Sequence, residues 1–585
     1  MQLARDKFVQ APATSGRAEQ RSNGSVSAET LIVACSLFWA LAANMPFIQA
    51  ALQGQSLTAA TTWGHALALV ALLTGAHTVV LVALALLAPG RWLKLLLGLL
   101  LVVAAASNHF IQAYGVVLDP SMVRNVLHTD VPEAAELLTW GFTLHLLLYA
   151  GLPILLLWRL QLRRKRWARS LLHRSVLAAL GLALFVGSLV AIFPSFGPLM
   201  RNHKELRYLA TPTNVLWSAG AVAAQKLRGA ARPRLAIGLD AEPGAAMAAR
   251  QQPGARPLVV VLVVGETARA ANWGLTGYAR NTTPQLAQWP LTSWRHATSC
   301  GTNTETSVPC MLAPVGRRDY NEVTIRGSES LLHVLARAGV AVHWRDNQSG
   351  CKGTCDGLPA PSVVEHVKDL KLTALCDRAH CLDESLLAGL QQKLASAQGT
   401  QLLVLHMLGN HGPAYFKRYP AAFDQFKPAC QTEDLRHCSR EEITNAYDNA
   451  LLYTDHVLAQ TLALLKAATQ VDTALIFASD HGESLGENNL YLHGLPYAIA
   501  PDVQKQVPMF LWLSDQLTAA PRRPLNAANP VPQPLNPACL QQRRLDTPHE
   551  TVAHDHIFHT LLGLLDVKTQ LYEPAWDLLQ SCRRP

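Results

Sequence analysis

The stretch Pro257–Glu266, PLVVVLVVGE, decides the fold of the C-terminal half of this chain. It is short and rich in β-branched residues, which favours a strand. Four similar runs follow it, separated by helical patterns: VAVHWRDN (340–347), QLLVLHMLGNHG (401–412), TALIFASDHGES (473–484) and VPMFLWLSD (507–515). Such alternation predicts an α/β domain with a mostly parallel sheet.

Polar residues stand where the predicted strands end, and ligands bind at the carboxyl ends of strands in open sheets of this kind. They are Glu266, His406, His411, Asp480 and His481, with His493 in the loop after the fourth run. Carboxylates and imidazoles form a ligand set suited to zinc or a similar divalent ion. A single residue of this type is more often a helix cap, but together they favour a metal site.

The segment Ser299–Cys310, SCGTNTETSVPC, can supply an attacking group, because it places four hydroxyl side chains between two cysteines. Coordination to a divalent cation makes a threonine hydroxyl a usable nucleophile. A helix that begins in this loop would add amide donors for a phosphoryl group. The residues alone do not choose among Thr302, Thr304, Thr306 and Ser307, and a stapled loop without chemistry is the alternative.

The N-terminal half is apolar enough to lie in a membrane, as the 50% hydrophobic content of the 585-residue chain also indicates. Five segments reach the roughly 20 residues that a span needs: 31–53, 64–88, 93–117, 137–158 and 175–197. Lys and Arg lie before the first span, between the second and third, and between the fourth and fifth, which places these flanks in the cytoplasm. An odd number of spans then exports everything after residue 198.

The charge and the cysteines support this topology. The net charge of +9 includes seven Lys or Arg in residues 159–174. Because that run separates two apolar segments, it indicates membrane orientation and not nucleic-acid binding. Ten of the eleven cysteines follow residue 299, several in close couples, which predicts disulfides in an oxidising compartment. Thiolate metal binding is the alternative, but no paired C-x2-C spacing supports it. The predicted disulfides join Cys300 with Cys310, Cys351 with Cys355, Cys376 with Cys381, and Cys430 with Cys438.

These features divide the chain into four predicted parts. Residues 1–30 are polar and predicted to be a disordered cytoplasmic N-terminus. Residues 31–198 form the five-span domain, residues 199–256 an interfacial helix followed by a linker, and residues 257–585 the exported catalytic domain.

The motifs resemble those of the phosphoethanolamine transferases that modify lipid A, a family that includes the mobile colistin-resistance enzymes. The resemblance runs from about residue 30 to the C-terminus. Its most specific stretches are GETARAANWGLTGYARNTTPQL (265–286), SCGTNTETSVPCM (299–311), WRDNQSGCKGTCD (344–356), HMLGNHGPAYFKRYP (406–420), NAYDNALLYTDHVL (445–458), SDHGESLGENNLYLHGLPYAIAP (479–501) and HDHIFHTLLGLLDV (554–567). It implies an alkaline phosphatase and sulfatase type of catalytic domain, a zinc site, and a threonine that carries phosphoethanolamine.

Residue roles follow from the resemblance. It implies that Thr304 is the nucleophile, and that Glu266, Thr304, Asp480 and His481 hold the first Zn²⁺. His411 and His493 match residues for a second metal or the substrate phosphate. Lys352 and Ser349 match positions for the phospholipid head group. In SMVRNVLHTDVPEAAEL (121–137), Asn125, Thr129 and Glu133 recur at fourfold spacing, and the Glu133 carboxylate suits an ethanolamine ammonium.

The resemblance also implies the reaction and its location. Phosphatidylethanolamine is the donor, lipid A is the acceptor, and the enzyme is a monomer in the bacterial inner membrane with its catalytic domain in the periplasm. A Kdo or heptose sugar of the lipopolysaccharide core, or a periplasmic glucan, is the alternative acceptor. The sulfatase signature C-x-P-x-R is absent around Cys300. Glu305 replaces the small residue usual after the nucleophile, and we expect its side chain to point to solvent. The alternatives are that this carboxylate modifies the metal site or binds a second ion.

Overall fold

The computed structural model describes residues 25–583 except 89, 130, 164–165, 231–233, 361, 363–374, 377–380, 519–534, 537 and 541–550. Most of the predicted N-terminal part, residues 1–30, therefore lies outside the described residues. The described chain has an N-terminal helical part and a C-terminal part built on one seven-stranded sheet.

The N-terminal part has four helices long and apolar enough to cross a membrane, which are Ala60–Leu87, Arg91–Tyr114, Trp140–Arg159 and Trp167–Asn202. A fifth span arises if the helical stretch Ala28–Ala43 and the helix Met45–Ala51, bent by 59°, are taken together. Each of the five matches a predicted apolar segment. The outward leucines of these helices are exposed, as expected for surfaces that face lipid acyl chains.

The break in the first span is stabilised by one side chain, Asn44. Its amide donates to the carbonyls of Trp39 (2.9 Å) and Thr211 (2.8 Å), and its carbonyl accepts the Thr211 amide at 2.8 Å. Bonds to backbone groups from two separate segments satisfy polar atoms that lipid would leave unpaired. The hydrogen bonds of Asn44 therefore stabilise the bend between the two helices.

Two short helices, Pro120–His128 and Val131–Glu136, lie between the long helices Arg91–Tyr114 and Trp140–Arg159, and we call residues 120–136 the bridge segment. After the last span come the 3₁₀ turn Lys204–Leu209 and the helix Thr213–Ala230. The bridge segment leaves the helical part and contacts the C-terminal part directly.

Part of the stretch predicted as a linker is folded onto the C-terminal part. The strand Glu242–Pro243 pairs with Val567–Lys568, and the helix Ala245–Arg250 follows it. Asp566 accepts the Ala246 amide at 2.7 Å. The sequence did not predict this packing, because the partner of these residues lies some 320 residues away and leaves no local signal.

The central sheet contains β1 Leu258–Gly265, β2 Thr292–Thr298, β3 Ala341–Asp346, β4 Thr400–His406, β5 Asp472–Ser479, β6 Gln506–Leu513 and β7 Thr551–Ala553. Their order across the sheet is β7-β2-β6-β5-β1-β4-β3. All neighbours are parallel except that β6 runs antiparallel to both β2 and β5. The opening stretch therefore forms an interior strand of a mostly parallel sheet, and the predicted mostly parallel sheet is confirmed.

Strand β1 is buried throughout because helices cover both faces of the sheet. Val260, Leu262 and Val264 enter one apolar core, while the alternate valines, 259, 261 and 263, enter the other. Side chains of a strand alternate between faces, so burial on both faces requires an uninterrupted apolar run. This geometry explains why PLVVVLVVGE shows no polar alternation.

The C-terminal part contains eight further helices among the described residues, besides Ala245–Arg250. They are Thr304–Met311, Glu322–Gly327, Leu331–Arg337, Leu390–Ala395, Arg440–Ala467, Asp502–Lys505, Asp515–Thr518 and Asp555–Leu564. A small hairpin pairs Ser484–Leu485 with Tyr491–Leu492. Disulfides join Cys300–Cys310, Cys351–Cys355, Cys376–Cys381, Cys430–Cys438 and Cys539–Cys582.

Candidate active site

The carboxyl ends of β1 and β5 bring three ionisable side chains together. Glu266 follows β1 directly, and Asp480 and His481 follow β5. Because β1 and β5 are adjacent and parallel, their ends meet at one edge of the sheet. One ligand atom from each residue lies within 4.8 Å of the others, and all three side chains are buried. We call these residues the sheet-edge cluster.

Local hydrogen bonds orient the cluster. The His481 Nδ1–H donates to the Gly482 carbonyl at 2.9 Å, so Nε2 faces the carboxylates, 3.3 Å from Asp480 Oδ2 and 3.4 Å from Glu266 Oε1. Asp480 Oδ1 accepts the amides of Thr267 and His481. The bond from Nδ1 to the backbone carbonyl fixes Nε2 as the imidazole nitrogen that is offered to a metal.

The pKa values of the cluster residues are shifted, as is typical of a buried cation site. Burial, together with the charge of Glu266, raises the pKa of Asp480 to about 6. Burial opposes the protonated imidazole, but the charge of Asp480 and the bond to Glu266 raise the pKa of His481 to about 10. Asp480 Oδ2 is buried without a hydrogen-bond donor among the described residues. A divalent cation would satisfy this oxygen and replace the imidazole proton, so the residues present fit a metal.

Thr304 is the hydroxyl of SCGTNTETSVPC that reaches the cluster. Its Oγ1 lies 3.1 Å from Glu266 Oε2 and 3.3 Å from His481 Nε2. It is the first residue of the helix Thr304–Met311, whose N-cap Asn303 accepts the Thr306 amide at 2.9 Å. Thr302 and Ser307 instead donate to backbone carbonyls. The structure thus selects Thr304 by geometry, where the residues alone left four hydroxyls open.

One glycine allows the loop after β4 to approach the cluster. Gly409 has φ +51°, and a Cβ at this position would lie 2.6 Å from the Glu266 carbonyl oxygen. Only glycine accepts both that backbone conformation and that approach. The loop carries His411 to the site as a consequence.

His411 and His493 lie beside the cluster, with ring centroids 5.5 Å apart; the His493 ring is 4.3 Å from that of His481. His411 Nε2 is 2.9 Å from Glu133 Oε1 of the bridge segment. Burial lowers the pKa of His411, but the charge of Glu133 outweighs it and the pKa rises to about 9. His411 is therefore a cation at neutral pH, which suits contact with a phosphate oxygen.

The residues matched to the lipid head group form a chain that ends at the cluster. The Lys352 ammonium donates to Ser349 Oγ at 2.5 Å, and Ser349 donates to Gln348 Oε1 at 2.7 Å. The Gln348 amide then donates to Glu266 Oε2 at 3.2 Å. Sequence reasoning missed Gln348, although it lies inside the quoted WRDNQSGCKGTCD. Its position directly before Ser349 is the sequence feature that could have identified it as a site residue.

His406 is one predicted strand-end residue that the structure places elsewhere. Its Nδ1 lies 2.7 Å from Asp346 Oδ1, which also accepts the Trp344 indole N–H at 3.1 Å. The dyad joins the ends of the parallel neighbours β3 and β4. Among the described residues, the group whose ligand atoms converge contains Glu266, Asp480 and His481.

The bridge segment carries the remaining predicted residues. Asn125 lies in the helix Pro120–His128, and Thr129 caps that helix, donating to the Asn125 carbonyl at 2.9 Å. Glu133 lies in the next helix and reaches His411. Glu133 thus contacts the catalytic domain, whereas the hydrogen bond of Thr129 stays within its own helix.

The expectation that Glu305 points to solvent was wrong. Glu305 is fully buried, with Oε2 3.0 Å from His128 Nδ1 and Oε1 2.9 Å from the Arg326 guanidinium. Ion pairing is the physical reason, because a carboxylate is buried only when its charge is matched.

Comparison with known proteins identifies the two parts. A family model described as Phosphoethanolamine transferase EptA/EptB matches residues 76–227, and one described as Sulfatase matches residues 259–567. The chain is 39% identical to phosphoethanolamine transferase EptA of Escherichia coli (strain K12), over 83% of this chain and 85% of that protein. It is 37% identical to phosphatidylethanolamine transferase Mcr-1 of Escherichia coli, over 93% and 96%.

A full-length solved structure agrees with the fold. The integral membrane protein lipooligosaccharide phosphoethanolamine transferase A (EptA) of Neisseria meningitidis superposes with a TM-score of 0.85 at 32% identity, covering 96% of this chain and 100% of that chain. The fold and the site together define an enzyme with N-terminal membrane helices and an alkaline phosphatase and sulfatase type of catalytic domain. Within that class, the chain belongs to the phosphoethanolamine transferase family.

Proposed function

We propose that this enzyme transfers phosphoethanolamine from phosphatidylethanolamine to lipid A through a covalent intermediate on Thr304. The observation that carries the proposal is the Thr304 hydroxyl, 3.1 Å from Glu266 inside a buried group of two carboxylates and an imidazole. The names of the similar proteins support the transferred group and the lipid donor. We further propose that the enzyme acts as a monomer in the inner membrane with the catalytic domain in the periplasm.

Zinc is the metal that we propose for the sheet-edge cluster. Glu266, Asp480, His481 and Thr304 provide oxygen and nitrogen ligands in the number that Zn²⁺ prefers. When bound, zinc would stabilise the deprotonated threonine hydroxyl and the charge on the phosphoryl group. His411 and His493 then remain beside the cluster to bind the phosphate or a second ion.

The residues of the chain can carry out both half-reactions. Thr304 Oγ1 loses its proton and forms a bond to phosphorus while the bond from phosphorus to the glyceryl oxygen breaks. The glyceryl oxygen takes up a proton, so that diacylglycerol leaves. Protonated His411 donates to a phosphate oxygen, and Lys352 adds a second positive charge. Glu133 offers a carboxylate to the ethanolamine ammonium. A phosphate oxygen of lipid A then attacks the same phosphorus and releases Thr304.

The product explains a biological consequence of the reaction. Each transferred group adds an ammonium that offsets phosphate charge on the outer envelope. Cationic peptides such as polymyxins are attracted by that charge, so we propose that they bind modified lipid A less well. The membrane helices serve the same reaction, because both substrates are lipids.

Mass spectrometry of lipid A from cells with and without the enzyme tests the proposal. We expect a mass increase of one phosphoethanolamine, which Thr304→Ala abolishes. The matched control is Thr306→Ala, which removes a half-buried hydroxyl from the same helix. Unchanged lipid A with modified core sugars or glucans would show that the acceptor is wrong. Full activity of Thr304→Ala would refute the mechanism.

A further inference from the structure

Glu305 directs its side chain away from the sheet-edge cluster and toward the bridge segment. Adjacent residues of a helix project about 100° apart, so Thr304 and Glu305 face different partners although they are neighbours. Thr304 meets Glu266, and Glu305 meets His128 of the bridge segment. The helix Thr304–Met311 thus contacts both the catalytic site and the bridge segment.

Glu305 belongs to a row of alternating charges that crosses between the two parts. Arg326 binds Glu305 Oε1 at 2.9 Å and donates to the Glu305 carbonyl at 2.5 Å. The Arg326 Nε lies 3.3 Å from Glu322, which also pairs with Arg124. Arg124 and His128 are four residues apart on the helix Pro120–His128, so they lie on the same face. The row therefore begins and ends on the bridge segment.

The same helix turn carries residues predicted to bind substrate. Asn125 follows Arg124, and Thr129 follows His128. A shift of the helix relative to Glu305 and Glu322 would displace both of them. Glu133 lies in the next helix of the bridge segment and reaches His411.

We propose that Glu305 is a positioning residue, which holds the bridge segment over Thr304 through His128, Arg326 and Arg124. The inference rests on the proposed roles of Asn125, Thr129 and Glu133 in binding the lipid donor. Glu305 does not serve as a metal ligand, because a guanidinium and an imidazole occupy its two oxygens. Lipid transfer then depends on the position of the bridge segment relative to the helix Thr304–Met311.

The experiment compares two substrates of the purified full-length chain with zinc bound. Phosphatidylethanolamine in mixed micelles requires the bridge segment, whereas bis(4-nitrophenyl) phosphate has neither acyl chains nor an ammonium. We expect Glu305→Gln to lower kcat/KM for the lipid by about tenfold or more, chiefly through KM, and to lower cleavage of the small diester far less. His128→Gln should act in the same direction, and adding it to Glu305→Gln should cause little further loss.

Glu441→Gln is the matched control, because Glu441 is an exposed carboxylate in the first turn of another helix. Equal losses on both substrates in Glu305→Gln, or losses of the two variants that multiply, would overturn the positioning role. His128 is 54% exposed, so His128→Gln decides the matter even if Glu305→Gln fails to fold. A wild-type chain that cleaves the diester but takes nothing from the lipid would overturn the donor assignment instead.

Discussion

At the scale of single residues, the active site is defined by buried charge that the protein alone does not fully satisfy. Glu266, Asp480 and His481 are each at most 1% exposed. Burial of an ionised group costs several kcal/mol unless the group is paired or binds a metal. This cost falls on Asp480, because its pKa is raised and its Oδ2 has no hydrogen-bond donor among the described residues. A bound cation is the arrangement that removes it.

Asp480→Asn is expected to remove zinc with little change in shape. The amide oxygen can still accept the backbone N–H groups of Thr267 and His481, but the carboxylate charge that faces His481 is lost. We expect zinc affinity to fall at least about 100-fold and transfer to be nearly abolished. Metal content of the purified chain, measured by plasma mass spectrometry, and lipid transfer are the readouts.

Asp502→Asn provides the control for this variant, because the Asp502 side chain is 75% exposed and should leave zinc content unchanged. Chelation of the wild type should abolish transfer, and added Zn²⁺ should restore it. Full zinc occupancy in Asp480→Asn would contradict the assigned ligand set.

At the scale of elements, the bridge segment is one of the contacts between the membrane helices and the catalytic domain, beside an apolar cluster that joins Val117 to Leu495. Its second helix contributes Glu133, which binds His411, and Glu136, which pairs with Arg418 at 2.5 Å. The Arg418 side chain is almost fully buried and also donates to the His411 carbonyl at 2.7 Å. Both glutamates therefore contact the loop that carries His411.

Glu133→Gln is expected to remove a pH-dependent part of the stability of the metal-free chain. Glu133 raises the pKa of His411 to about 9, above the value of about 6.5 for an unfolded histidine. The native state therefore holds this proton more tightly, and its contribution is full below about pH 6.5 and lost as the pH rises through about 9. The upper limit is about 3.5 kcal/mol, at about 1.4 kcal/mol per pKa unit.

Thermal unfolding of the chelated full-length chain between pH 6.5 and 9.5 measures this effect. The melting temperature of the wild type should fall more steeply with pH than that of Glu133→Gln. His481 also has a raised pKa and contributes in both proteins, so the difference between the curves isolates the Glu133 pair. Glu205→Gln, which alters the exposed His203–Glu205 pair, is the control. Parallel curves for wild type and Glu133→Gln would contradict the prediction.

At the scale of the whole molecule, topology and cysteine chemistry are linked. The described C-terminal part contains ten cysteines in five disulfides, and the free cysteine, Cys35, lies in the first helix. Disulfides persist in an oxidising compartment such as the periplasm. The membrane orientation predicted from Lys and Arg can therefore be tested by counting free and disulfide-bonded cysteines.

Thiol counting in acid-quenched cells tests this orientation. We expect maleimide labelling of the denatured, unreduced chain to modify one thiol, and labelling after reduction to modify all eleven. Cys35→Ser should bring the first number to zero. A chain that labels at eleven thiols without reduction would place the C-terminal part in the cytoplasm.

Local sequence was sufficient to predict the strands, the membrane spans and the edge of the sheet at which the site lies. PLVVVLVVGE and TALIFASDHGES predict buried strands, and in a parallel sheet such strands place Glu266, Asp480 and His481 at one edge. The apolar segments are long enough to predict the five spans without further information. The choice of Thr304 among four hydroxyls came from family resemblance, and the 3.1 Å contact with Glu266 agrees with it.

By itself, then, the sequence determined the span lengths, the strand runs and the residues that end the strands, because these depend on periodicity along the chain. Only the tertiary structure decided what those residues contact. The partner of Glu305 lies 177 residues away, and that of Ala246 lies 320 away. Contacts of this kind arise when separate elements pack, and no local pattern records them. From the sequence we expected Glu305 to point to solvent. In the folded chain it is buried and joins the helix Thr304–Met311 to the bridge segment.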